Sequence, residues 1–186
     1  LSTPAAVDLL EHLGVRGTED TLKSAVENLD AHPLALTLLG RLLKSRHGGD
    51  AGQHRVVPPL SDVDVEESSH ADRVLRHYDN LWASEAPERA VLFFLGLMDR
   101  PIRKTDLRFL WNALSLTDGL PKFGSPRFNE VVDRLEDANL VFVRRGEYET
   151  HPLIRTHFGS KFFTHYPDTY RESQNLLFQR FSSIPE

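Results

Sequence analysis

The sequence contains no cysteine. Disulfides, thiolate metal sites and cysteine nucleophiles are therefore excluded. No apolar run approaches the roughly 20 residues that cross a bilayer. No signal-peptide pattern opens the chain. No membrane partner is expected, and a cytoplasmic location is. A phosphate-binding loop of the form G-x-x-x-x-G-K-[ST] is missing, because no lysine follows a glycine anywhere in the chain. The Gly48-Gly49 pair has neither a lysine near it nor a hydrophobic strand before it. There is no H-E-x-x-H zinc helix and no G-x-S-x-G nucleophile elbow. The nine histidines are scattered, and His151 and His157, six apart, do not share a helix face. No metal site and no catalytic residue is predicted, so the chain alone is not expected to be an enzyme. Basic residues are also short. Lys and Arg number 22 against 27 Asp and Glu, a net charge of −5, which argues against a nucleic-acid partner.

What is present is an ordinary globular balance, 40% hydrophobic and 26% charged over 186 residues. That length suits one large domain or two small ones. The chain opens on Leu1, and a segment of a longer protein is expected. Ser2-Thr3-Pro4 is a helix start, a hydroxyl cap followed by proline in the first turn, with Gly14 ending the helix after Leu13. Thr18 or Glu19 starts a second helix whose Leu22, Ala25, Val26 and Leu29 share one face. Pro33 opens a third, with Ala35, Leu38, Leu39 and Leu42 at the same spacing and Leu34, Leu36 and Leu43 widening the stripe. These three make a small bundle over 1–47. Gly48, Gly49, Gly52, Pro58 and Pro59 mark 48–65 as a linker.

A second domain is predicted over 66–166. Helices are expected at Ala71–Trp82, with Val74, Leu75, Tyr78 and Leu81 inward, and at Glu88–Met98, stopped by Arg100-Pro101. Thr105 or Asp106 caps a short helix through Trp111, and 113–125 is a loop. Ser125-Pro126 caps a further helix with Phe128, Val131, Val132 and Leu135 on one face. Leu140–Val143 and Tyr148–Thr150, joined by the Arg145-Gly146 turn, form a hairpin. Helices follow over Pro152–His165 and, past Pro167, around Thr169–Phe181. The aromatics Phe93, Phe94, Phe109, Trp111 and Phe128 are expected in the core. The fold class is thus mainly α: a small helical bundle, then a winged-helix domain with a short β-hairpin, then a terminal helix over 167–186.

Two stretches carry a family resemblance. Gly14-Val15-Arg16-Gly17-Thr18-Glu19 followed by Ala31-His32-Pro33-Leu34-Ala35-Leu36-Thr37-Leu38-Leu39-Gly40 resembles the GLPLAL segment of STAND-class (NB-ARC-like) signalling ATPases. Tyr148-Glu149-Thr150-His151-Pro152-Leu153-Ile154-Arg155-Thr156-His157-Phe158 is similar to the MHD region of their winged-helix domain. The resemblance implies the helical and winged-helix arms of a nucleotide switch, without its phosphate-binding domain. It implies that Pro33 lies against the adenine of ATP or ADP, and that His151 contacts the β-phosphate of ADP, with Mg in the full-length protein only. For Pro33 the plainer role is starting its helix. For His151 it is capping the hairpin. Arg155 either reaches a phosphate or sits on the surface, and His32 either helps the nucleotide site or caps and packs. The implied partners are the absent nucleotide-binding domain and a C-terminal sensor region, with homo-oligomerisation on activation and hinges at 47–61 and 84–87. The sequence departs from the family at three positions: Pro152 stands for aspartate, Thr150 for methionine, and Ala31 for glycine.

Two other functions suit the helical pattern. One is a DNA-binding winged helix, whose third helix here has Arg127 and Arg134 against Glu130, Asp133, Glu136 and Asp137, with Arg144 and Arg145 in the wing. That acidic balance opposes docking on phosphates. The other is a nucleotide-independent helical adaptor.

Overall fold

The structure, a computed structural model, describes residues 1–57, 70–81, 86–114 and 128–182. These residues are mainly helical, with one three-stranded antiparallel sheet. The chain divides into two compact units: Leu1–Leu81 together with Asp137–Asn139, and the rest.

The first unit contains α1 (Thr3–His12), α2 (Glu19–Glu27), α3 (Pro33–Arg46), a 3-10 turn (Ala51–Val56) and α4 (His70–Leu81). Pro4 starts α1 as expected, but the Ser2 hydroxyl makes no capping bond. Thr18 does cap α2, accepting from the Thr21 amide at 3.3 Å. The predicted apolar stripes are inside: Leu22, Ala25, Val26 and Leu29 of the α2 region, and Ala35, Leu36, Leu38, Leu39, Leu42 and Leu43 of α3, are all 3% exposed or less. Gly14, at φ 85, lets the chain turn out of α1, with the Val15 amide reaching back to the Leu10 carbonyl at 3.0 Å.

Residues 48–57 are not strung out as a connection. The Arg16 amide donates to the Gly49 carbonyl at 2.6 Å, and the Ala51 amide to the Arg16 carbonyl at 2.8 Å. Gly49 approaches the Gly14 carbonyl so closely that no side chain fits there. Ala51, His54 and Val57 are buried. Glycines read as linker composition are here the means of close backbone approach. α4 belongs to this unit as well. Its Val74, Leu75 and Tyr78 are buried, and the Tyr78 hydroxyl donates to the Leu38 carbonyl of α3 at 3.1 Å. The boundary between units therefore lies later than the glycine and proline cluster suggests. Residues 58–65, Trp82 and 84–85 lie outside the described residues.

The second unit contains α5 (Pro87–Gly96), β1 (Ile102–Arg103), α6 (Lys104–Leu114), α7 (Phe128–Asp137), β2 (Phe142–Arg144), β3 (Glu147–Glu149), α8 (Pro152–His165) and α9 (Pro167–Ser182). The strand order is β1-β3-β2, with Tyr148 opposite both Ile102 and Val143. The hairpin was legible, and its turn uses Arg145 and Gly146 at φ 53 and 80. β1 was not, because two residues carry no alternation. α5 ends before the expected Met98, and α6 begins one residue before Thr105, so Asp106 lies within its first turn rather than capping it. α6 also runs past Trp111 to Leu114, while 115–127, with the expected cap at Ser125-Pro126, lie outside the described residues.

α5 and α8 cross at two glycines. A Cβ on Gly96 would lie 2.6 Å from the Gly159 Cα, and one on Gly159 would lie 2.8 Å from the Gly96 oxygen. Beside this crossing the Phe93 and Phe162 rings stack at 5.1 Å, and Phe94 meets Phe162 edge-on at 6.2 Å. Of the expected core aromatics, only Phe109 is half-buried rather than buried; it lies under the Arg180 guanidinium at 4.9 Å.

Candidate functional site

Pro33 is the first residue of α3 and is exposed. The residue before it, His32, is the N-cap: the Ala35 amide donates to its Nδ1 at 3.3 Å. An imidazole that accepts at Nδ1 is neutral and carries its proton on Nε2. The capping role foreseen for His32 is thus present. The chain reaches His32 through two left-handed residues, Asp30 at φ 49 and Ala31 at φ 50. The Ala31 amide reaches back to the Val26 carbonyl at 3.0 Å and the Asp30 amide to Glu27 at 3.1 Å, the bond pair that closes a helix with a left-handed turn. Glycine is the relaxed residue in such a turn, and neither residue is glycine. The His32 ring stacks on His70 at 6.5 Å, and the Arg73 guanidinium lies 3.4 Å from the Nδ1 of His70.

His151 and Pro152 start α8 in the same way. Pro152 is the first helical residue and is exposed; the Leu153 amide donates to the Nδ1 of His151 at 3.2 Å. His151 is half-buried between the end of β3 and the helix. Its Nδ1 edge is spent on the cap, so a contact to an anion must use Nε2. A hairpin cap and an anion contact are therefore compatible roles for one ring. The Thr150 hydroxyl donates to the Leu140 carbonyl at 2.6 Å and fixes the strand just before His151. Arg155, one turn on, donates to the Asp99 carbonyl at 3.0 Å. It lines a cleft of about 200 Å³ with Arg100, Tyr148, Thr150 and Pro152. His32-Pro33 lies in the first unit and His151-Pro152 in the second, and each is described within its own unit.

Two features escaped the sequence reading. Asp106, 1% exposed, accepts from Arg103 Nε and from Arg180 Nε, each at 2.8 Å, and so ties α6 to α9. Nothing in a lone aspartate near a helix start signals a partner 74 residues away. In the first unit, buried His54 has Nδ1 2.9 Å from the Ala51 carbonyl and Nε2 3.3 Å from the Ser24 hydroxyl, beside a cleft of about 350 Å³. The Asn28 amide in that cleft donates to the Val57 carbonyl at 3.2 Å, so this pair reads as packing between α2 and the 3-10 turn. Among the described residues no group of three or more metal-binding side chains converges, and no helix is long and apolar enough to cross a membrane.

Comparison with known proteins finds no matching family model, no matching curated protein and no matching solved structure.

Proposed function

We propose that this chain is the regulatory arm of a STAND-type nucleotide switch. In this reading a helical module and a winged-helix module close over ATP or ADP bound to a separate phosphate-binding domain, and relay nucleotide state to oligomerisation. The observation that carries it is the backbone at Ala31. The family has glycine at this position, and Ala31 has the left-handed φ of 50 that glycine favours. The backbone at this position is thus one that suits the glycine of the family motif, although the residue here is alanine. The second unit adds support: helix, strand, helix, helix, strand, strand, with the first strand paired to the last, is the order of a winged helix. The exposed Pro33 ring offers an apolar face to a base and needs no donor. His151 stands beside the first amides of a 14-residue helix, where anions are favoured. The phosphates, the metal and the hydrolytic chemistry belong to the separate domain.

DNA binding fits the same strand and helix order but not the charge. On α7 the exposed residues include Glu130, Asp133, Glu136 and Asp137, while Arg134 is drawn to Glu88 at 2.7 Å. In the wing, Arg144 pairs with Glu149 at 3.1 Å. Such a face repels phosphate.

The first test is the gene sequence preceding Leu1. A Walker lysine loop there supports the switch, and its absence sinks it in favour of an adaptor. The second is His151→Ala in the protein that carries both parts, with His151→Ser as control, since serine restores a cap but not the ring. Both variants should lose ADP faster, by roughly tenfold for one lost charge-assisted contact of about 1.4 kcal/mol. Unchanged ADP release in both removes His151 from the site.

A further inference from the structure

Ser24 of α2 and His54 of the 3-10 turn meet beside a cleft of about 350 Å³, lined by Ser24, Glu27, Asn28, His54 and Arg55. The bonds fix the state of the ring. His54 is 5% exposed, and its Nδ1 lies 2.9 Å from the Ala51 carbonyl, which can only accept. Nδ1 therefore carries a proton, and in the neutral ring Nε2 is a bare acceptor. The group facing Nε2, at 3.3 Å, is the Ser24 hydroxyl, which donates to it.

Packing of α2 on the 3-10 turn accounts for the burial of His54 and for the Asn28–Val57 bond. It does not call for a hydroxyl on the second ring nitrogen. Hydroxyls inside helices commonly turn back to a carbonyl of the preceding turn. Thr37, Ser45 and Ser173 do so here, donating to Pro33, Leu42 and Thr169. Ser24 turns to the imidazole instead.

A hydroxyl on one imidazole nitrogen, with the other nitrogen held by a third group, is the relation of nucleophile, base and orienter used in acyl transfer. The third group here is a carbonyl rather than a carboxylate. It fixes the tautomer but sets no negative charge behind the imidazolium, so the reaction is slow. A donor for the developing oxyanion stands one turn after Ser24, on the same face of α2. It is the Asn28 amide. One of its two hydrogens goes to the Val57 carbonyl at 3.2 Å, and Arg73 holds its oxygen at 3.1 Å, which leaves the second hydrogen for the cleft. The exposed Arg55 lines the same cleft, and Glu27 offsets its charge, so no charged acyl group is favoured.

We propose that Ser24 and His54 form an acyl-transfer dyad that acts on short carboxylic esters. The Ser24 Oγ attacks the ester carbonyl as its proton passes to the Nε2 of His54. The bond from the acyl carbon to the alcohol oxygen then breaks, and the alcohol leaves with that proton. Water attacks the acyl-serine and gives a proton to Nε2; the acid departs as Ser24 takes the proton back. This activity does not depend on the nucleotide reading.

Incubation of the full chain with p-nitrophenyl acetate, followed by peptide mapping, tests it. Ser24 should carry an acetyl group. It should react roughly a hundredfold faster than Ser2, an exposed serine whose hydroxyl makes no capping bond, because a positioned general base contributes about that much or more. His54→Gln should slow acetylation of Ser24 by a similar factor. Ser24→Ala should abolish the acyl-enzyme and keep the fold, since alanine suits a helix. Acetyl groups confined to lysines or histidines overturn the dyad, as does Ser24 reacting no faster than Ser2, or unchanged acetylation in His54→Gln. Should His54→Gln not fold, the comparison of Ser24 with Ser2 in the native chain decides.

Discussion

α3 and α8 begin alike and are reached differently. Each is 14 residues long, opens on an exposed proline, and is capped by a histidine through Nδ1. In α3 the capped amide is that of the third helical residue, Ala35; in α8 it is that of the second, Leu153. The chain enters α3 through two left-handed non-glycine residues, and enters α8 from the end of a β-strand. The same dipeptide is therefore reached through a strained turn in one case and from a relaxed strand end in the other. α3 is covered by aliphatic neighbours, whereas α8 is seated by a glycine contact with α5 and a ring stack. A cap can be read from two letters, but what holds the helix behind it cannot.

The largest expected effect breaks the α8 side of this pair. On an open helix surface Gly159→Ala would add about 1 kcal/mol of stability through helix propensity. Here the new methyl meets the Gly96 backbone at 2.8 Å, and backbone cannot rotate away. Overpacking of this kind costs roughly 3 kcal/mol, so a net loss of about 2 kcal/mol is expected. Urea unfolding of the chain measures it. A gain in stability would show that α5 and α8 do not meet at these glycines.

What was legible follows the range of each signal. Helix starts at Pro4, Pro33, Pro152 and Pro167 were readable because proline acts on its own turn. The stripes of α2, α3 and α7 were readable because burial repeats within one helix. Gly96 and Gly159 were not, because each is an unremarkable glycine until the other is beside it. β1 was not, because its two residues become a strand only against Tyr148 and Glu147. The fold of 48–57 was misread for a related reason: Gly49 looks like linker composition, and only its approach to Gly14 shows otherwise. Of the candidate site, the cap at His32 was foreseen as one of its roles. The His70 ring on its far side was not, since 38 residues separate them.

A smaller effect compares the two caps directly. His32→Ala and His151→Ala each remove one acceptor from a helix start and should each cost about 1 kcal/mol. His32→Asn and His151→Asn keep a capping acceptor and should recover most of that loss. Urea unfolding of the four variants measures this. No recovery in the asparagine variants would mean that the rings pack rather than cap.

The smallest effect sharpens the entry to α3. A left-handed backbone costs a residue with a Cβ about 1–2 kcal/mol, and aspartate or asparagine tolerates it better than alanine. Ala31 at φ 50 therefore carries more of the strain than Asp30 at φ 49. Ala31→Gly relieves it, offset by the greater freedom of glycine in the unfolded chain, about 0.4–1 kcal/mol. The net expectation is a gain of roughly 0.5–1 kcal/mol in unfolding free energy. Asp30→Gly should gain less. The order of the two matters more than their size, because only a left-handed Ala31 makes the alanine the better site for glycine. If Asp30→Gly stabilises more, or if Ala31→Gly destabilises, the turn before Pro33 is not the one described.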